Sequence, residues 1–98
     1  MTANKLEENK EKIIEKILEE GRRFVSMAVD KVIEYIREWE TNSELAKEPI
    51  CASMIAETKA KGMIYVKPLI PLILDVLAKE GYLEEEVKAG VPHYKLKE

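Results

Sequence analysis

Between residues 14 and 39 the residues Ile14, Leu18, Gly21, Val25, Ala28, Val32, Ile36 and Trp39 recur at intervals of three and four. That spacing puts them on one face of a helix, whereas a strand would scatter them over both faces. Glu and Lys fill the remaining positions, with helix-supporting pairs four apart such as Glu8 and Lys12. Residues 4–39 are therefore expected to be helical, started by Thr2 or Asn4 and stopped near Asn42 and Ser43. Gly21 costs about 1 kcal/mol relative to Ala inside a helix. The stripe stays in phase across it, so one continuous helix is expected. At 1.5 Å per residue such a helix exceeds about 50 Å and outruns a domain of this size. Its first half would project with Ile13, Ile14, Ile17 and Leu18 uncovered, and a row of that kind calls for a partner helix. Self-association through Ile13, Ile14, Ile17, Leu18 and Val25 is the expectation.

After residue 42 the elements shorten. Pro49 suits a first helical position, so a helix from Pro49 to about Lys61 is expected, with Ile50, Met54 and Ile55 buried and Gly62 as its stop. Pro68 opens a third helix over 67–80, in which Ile70, Ile73, Leu74 and Leu77 have core spacing. Gly81 ends it. The chain then alternates: Leu83, Glu85 and Val87 against Glu84, Glu86 and Lys88, and, beyond Ala89-Gly90, Pro92, Tyr94 and Leu96 against Val91, His93 and Lys95. This is a β-hairpin, with Pro92 pointing to an edge position for its second strand.

Leu77 and Gly81, followed by Tyr82-Leu83 and by the closing run His93-Tyr94-Lys95-Leu96, resemble the winged-helix (winged helix-turn-helix) family over residues 25–98. The resemblance implies a mainly α fold with a small β-hairpin as its wing, here preceded by the long N-terminal helix. Residues 1–40 would supply that helix, for dimerisation and as the first core helix. Residues 41–98 would supply the helix-turn-helix and the wing, all in one domain. The implied partner is double-stranded DNA, with the third helix in the major groove and the wing on the backbone.

The residues support that implication only in part. The third helix has no Arg, Asn or Gln to pair with a base edge, and Glu84-Glu85-Glu86 in the first wing strand repels phosphate. The cations available for DNA are Lys59, Lys61, Lys67 and Lys88, joined by His93 and Lys95 on the last strand. Solvation of a lysine-rich surface explains the same residues equally well. Arg22 and Arg23 are read either as a solvated, salt-bridged face or as a phosphate clamp. Phe24 and Trp39 are expected as core anchors.

Composition bounds the rest. Ninety-eight residues with a net charge of −3 fit one domain that does not coat nucleic acid indiscriminately. Seventeen of the nineteen acidic residues are Glu, thirteen of the sixteen basic ones are Lys, and Gln is absent, a thermophile lean that a strongly helical mesophile protein also shows. The apolar stretch from Met63 to Leu74 is too broken to span a bilayer. The N-terminal stretch lacks a signal-peptide core, and the single Cys51 fits a reducing compartment, so a cytoplasmic protein is expected. Cys51 is read as a small hydrophobe, the lone His93 lacks a second ligand, and no catalytic, metal or cofactor motif stands out. Two functions follow: a small dimeric DNA-binding transcriptional regulator, or a winged helix that contacts protein, as a subunit of a nucleic-acid-processing assembly.

Overall fold

A computed structural model of the chain describes residues 1–15, 22–42 and 48–97. Its elements are α1 (Thr2–Glu8), α2 (Lys10–Glu15), α3 (Arg22–Thr41), α4 (Ala52–Lys59), a 3₁₀ turn (Lys67–Leu69), α5 (Ile70–Lys79), β1 (Leu83–Lys88) and β2 (Val91–Leu96). The fold is mainly helical with one two-stranded antiparallel hairpin.

Helix α3 organises the rest because its apolar stripe is wide. Val25, Ala28, Val29, Val32, Ile33, Tyr35, Ile36 and Trp39 are all buried, more of the circumference than one neighbour covers. Helices α4 and α5 take one side of it, and α1 with α2 takes another. This corrects the expectation of one continuous helix. The N-terminal segment folds back along α3 in antiparallel fashion. The backbone N–H groups of Thr2 and Ala3 donate to the Glu40 carboxylate at 2.9 and 3.0 Å, which caps α1 in place of a local side chain. Arg37 donates to Asn4 at 3.2 Å and pairs with Glu7 at 3.4 Å, and Lys10 meets Asp30. Each step forward along α1 and α2 thus matches a step backward along α3. Leu6, Ile13 and Ile14 are buried by this return, so Ile13 and Ile14 need no second chain to cover them. Val25 is buried too. Ile17, Leu18 and Gly21 lie outside the described residues.

Helix α4 starts at Ala52, later than Pro49 suggested. The reason is tertiary. Ile50 exchanges both backbone hydrogen bonds with Tyr94, at 2.9 and 2.7 Å, and that bridge requires extended backbone. Met54, expected inside, is exposed. The third helix begins as the 3₁₀ turn at Lys67–Leu69 and becomes α-helical with Pro71 in its first turn, where a missing N–H costs least. Ile70, Ile73, Leu74 and Leu77 are buried as their spacing requires. Gly81 (φ +86°) reverses the chain, and the Tyr82 N–H donates to the Leu77 carbonyl at 2.9 Å.

The hairpin pairs Leu83 with Leu96, Glu85 with Tyr94 and Val87 with Pro92. Its two-residue turn, Ala89 (φ 51°) and Gly90 (φ 78°), is left-handed at both positions, which suits the twist of the strands. Leu83 and Tyr94 cap the helical core, but Val87 is 65% exposed because the hairpin tip extends past the helices. Nor is β2 a plain edge strand. At Tyr94 it lies between β1 and Ile50. The Tyr94 N–H points toward Ile50, so the nitrogen of Pro92, two residues earlier, also faces away from β1. The lost donor costs the β1–β2 ladder nothing.

Candidate interaction surface

The cations expected to meet DNA are mostly engaged already. Lys59 pairs with Glu38 of α3, and Lys67 pairs with Glu57 of α4 at 3.0 Å. In the hairpin one carboxylate holds two of them: Glu86 lies 3.5 Å from Lys88 and 3.4 Å from Lys95. Burial alone would raise the Glu86 pKa, but the Lys95 hydrogen bond and the Lys95 and Lys88 charges outweigh it and hold the carboxyl below its ordinary value. The His93 Nδ1 donates to the Val91 carbonyl at 2.9 Å. Lys61 alone of the set is exposed with no carboxylate partner among the described residues. Each exposed pair is weak, about 0–1 kcal/mol. Together they still place Glu38, Glu57 and Glu86 beside the positions a phosphate would have to take.

The outward face of α5 offers no polar reading head. With Ile70, Ile73, Leu74 and Leu77 inward, it presents Pro71, Leu72 and, beyond them, Asp75 paired with Lys79 at 2.9 Å, with Pro68 exposed in the 3₁₀ turn ahead of it. Leu72 is 48% exposed. Ile70 and Leu74 are buried and Leu69 is partly buried, so only Leu69 of these three reaches the surface.

A second apolar group adjoins this face in sequence. Ala60 and Val66 are both buried, so the chain between them must loop outward. The N–H groups of Val66 and Lys67 both donate to the Met63 carbonyl at 3.0 Å and tighten the loop, while Gly62 takes φ +80°. Ile64 (69% exposed) and Tyr65 (65%) are pushed into solvent as a result. Phe24 is not a core anchor. It lies at the surface with its ring 5.1 Å from that of Tyr65, tilted by 38°. Trp39, by contrast, is fully buried. Phe24, Met27, Met63, Ile64, Tyr65 and Val66 line a shallow groove of about 220 Å³. Sequence reasoning missed Ile64 and Tyr65 as surface residues. The signal was the run Met63-Ile64-Tyr65-Val66, apolar yet too short and too close to Gly62 to be a helix face.

Cys51 is half-buried at the N-cap of α4, its Sγ 3.1 Å from the Ser53 hydroxyl. That hydrogen bond and the backbone N–H groups of Met54 and Ser53, against the opposing effect of burial, lower its thiol pKa. No group of three His, Cys, Asp or Glu side chains is placed to hold a metal ion among the described residues. No helix among them is long and apolar enough to cross a membrane. Compared with protein-family models, curated proteins and solved structures, the chain matches none.

Proposed function

We propose that the chain is a winged-helix module that works by docking a protein, rather than a regulator that reads duplex DNA through its third helix. The winged-helix reading rests on the order α3, α4, α5 and hairpin, with Gly81 turning the chain directly into β1. The docking reading rests on one observation: the segment from Ile64 to Leu72, where the DNA-contacting helix would start, turns Ile64, Tyr65 and Leu72 into solvent, with the Phe24 ring in tilted contact with Tyr65. Exposed apolar side chains gathered around one groove, as Phe24, Ile64 and Tyr65 are, mark interaction sites. The cations that a DNA-binding reading needs from the third helix and the wing face carboxylates instead.

Two measurements test this. A photo-crosslinking side chain at Tyr65 or Leu72 is expected to trap a discrete protein adduct in cells, and one at exposed Glu34 is not. Equal labelling from all three positions overturns the docking face. A titration of the full chain with duplex DNA at low salt, repeated with Lys67→Ala and Lys88→Ala, tests the rival. Duplex binding whose salt slope drops by about one per lysine removed would restore the DNA-binding regulator.

A further inference from the structure

Among the described residues the lysines divide into two groups. Lys10, Lys31, Lys59, Lys67, Lys79, Lys88 and Lys95 each face a carboxylate. Lys5, Lys12, Lys61 and Lys97 have no carboxylate within salt-bridge distance among the described residues, and three of these four line two hollows that share Tyr82. Lys12, with Asn9, Ile13, Glu80 and Tyr82, lines a hollow of about 270 Å³. Lys5 and Lys97, with Thr2, Gly81 and the same Tyr82, line an adjoining one of about 200 Å³. The two hollows form a groove with α1 and α2 as one wall and the turn after α5 as the other. Tyr82, shared by both, sits between them.

The fold holds this groove in shape. Leu6 and Ile13 are buried and fix the α1–α2 wall. The opposite wall is fixed by the Gly81 N–H donating to Ala78 at 3.1 Å and the Tyr82 N–H donating to Leu77. Lys5 belongs to α1 and Lys12 to α2, so both line the wall that these two helices form. Lys97 faces them across the groove, its Nζ beside Gly81. Among the described residues on the lining, Glu80 is the one carboxylate beside three lysines.

From this arrangement we infer that the groove binds single-stranded nucleic acid, with Lys5, Lys12 and Lys97 on successive phosphates and the Tyr82 ring as a stacking surface for a base. Lysines serve as point charges for phosphate, and an aromatic ring set among them is the pattern by which single strands are held without sequence preference. A duplex keeps its bases stacked on one another and cannot offer one to a half-buried ring. The inference shares no residue with the docking face and does not depend on it.

Fluorescence anisotropy of the full chain with a short labelled oligothymidylate, over a salt series, tests it. Binding is expected at low salt. The triple variant Lys5→Ala, Lys12→Ala, Lys97→Ala should lower the log–log salt slope by about two, at about 0.7 per single-strand phosphate. Lys88→Ala with Lys95→Ala should leave the slope unchanged. Tyr82→Leu should weaken binding about fivefold or more at an unchanged slope, and Tyr82→Phe, which keeps the ring and the packing, should bind like the parent. Thermal melts identify any variant that fails to fold, and the Tyr82→Phe comparison with the lysine variants carries the test if Tyr82→Leu is one. No binding at low salt overturns the inference, as does an unchanged slope in the triple variant. Displacement by polyglutamate as effective as by unlabelled oligonucleotide would assign the groove to acidic polypeptide. Tighter binding of a duplex of the same length would remove the stacking role.

Discussion

Lys10 Nζ lies 2.6 Å from Asp30 Oδ1, joining the N-terminal helical segment to the middle of α3. The pair is partly exposed and its own contribution is small. It marks a return of the chain whose stability comes from Leu6, Ile13 and Ile14 beneath it. Ile14→Ala is therefore expected to cost about 3 kcal/mol in urea melts, as for other buried large-to-small changes, and Lys10→Ala less than about 1 kcal/mol. Midpoints should not shift with protein concentration. A concentration-dependent midpoint abolished by Ile14→Ala would return these residues to an interface between two chains.

Tyr94 and Lys95 are neighbours with opposite duties. Tyr94 is buried against the helices and bridged to Ile50, and Lys95 points outward to Glu86. Tyr94→Ala should cost about 3 kcal/mol and Lys95→Ala no more than about 0.5 kcal/mol. Val87→Ala, on the same strand face as Tyr94 but beyond the helices, should resemble Lys95→Ala. A large loss at Val87 would mean that the hairpin tip folds down onto the core.

The Tyr94 phenol is pushed from its ordinary 10.0 up to about 12, by burial first and then by the charge and hydrogen bonding of Glu85 and the charge of Asp75. All of these disfavour the phenolate. The folded chain thus holds this proton longer than the unfolded chain does. The resulting stability is complete below about pH 10 and is lost as the pH rises toward 12. Ultraviolet titration of the tyrosines should show a late phase near 12 that Tyr94→Phe removes, and the alkaline loss of stability should be shallower in that variant. A titration unchanged by Tyr94→Phe would contradict the burial of its hydroxyl.

Ala89 occupies a left-handed position that residues with a Cβ disfavour by about 1–2 kcal/mol. Asn tolerates that conformation and, before Gly90, completes the preferred pair for this turn. Ala89→Asn is expected to stabilise the chain by about 0.5–1 kcal/mol in thermal or urea melts. A loss of stability would show that the turn has another geometry.

Local patterns made the helices and the hairpin readable, since the inward positions of α5 and the alternation around Ala89-Gly90 are set by neighbours in sequence. What stayed hidden depends on residues far apart. The stripe from Ile14 to Trp39 is in phase whether the chain runs on or turns back, because a helix face looks the same beneath a second chain and beneath its own N-terminus. Ile50 has a helical neighbourhood, and only its bond to Tyr94 extends it. The lysines were visible as residues but not as partners. Glu86 takes up Lys88 and Lys95 through strand register, and the Lys5, Lys12 and Lys97 groove exists only after the fold-back. Phe24 looked like core until Tyr65 was found beside it at the surface.

The Ile50–Tyr94 bridge also bears on how the chain reaches this state. It joins positions separated by nearly half the sequence, so its closure entropy must be met before it returns any hydrogen-bond energy. The helices and the Ala89-Gly90 hairpin rely on nearby contacts and can form within microseconds. Assembly should therefore pass through an early helical ensemble with an undocked hairpin, and the bridge should close last. Weakening the bridge would then act chiefly on the unfolding rate, shortening the lifetime of the native chain while leaving its folding rate almost untouched.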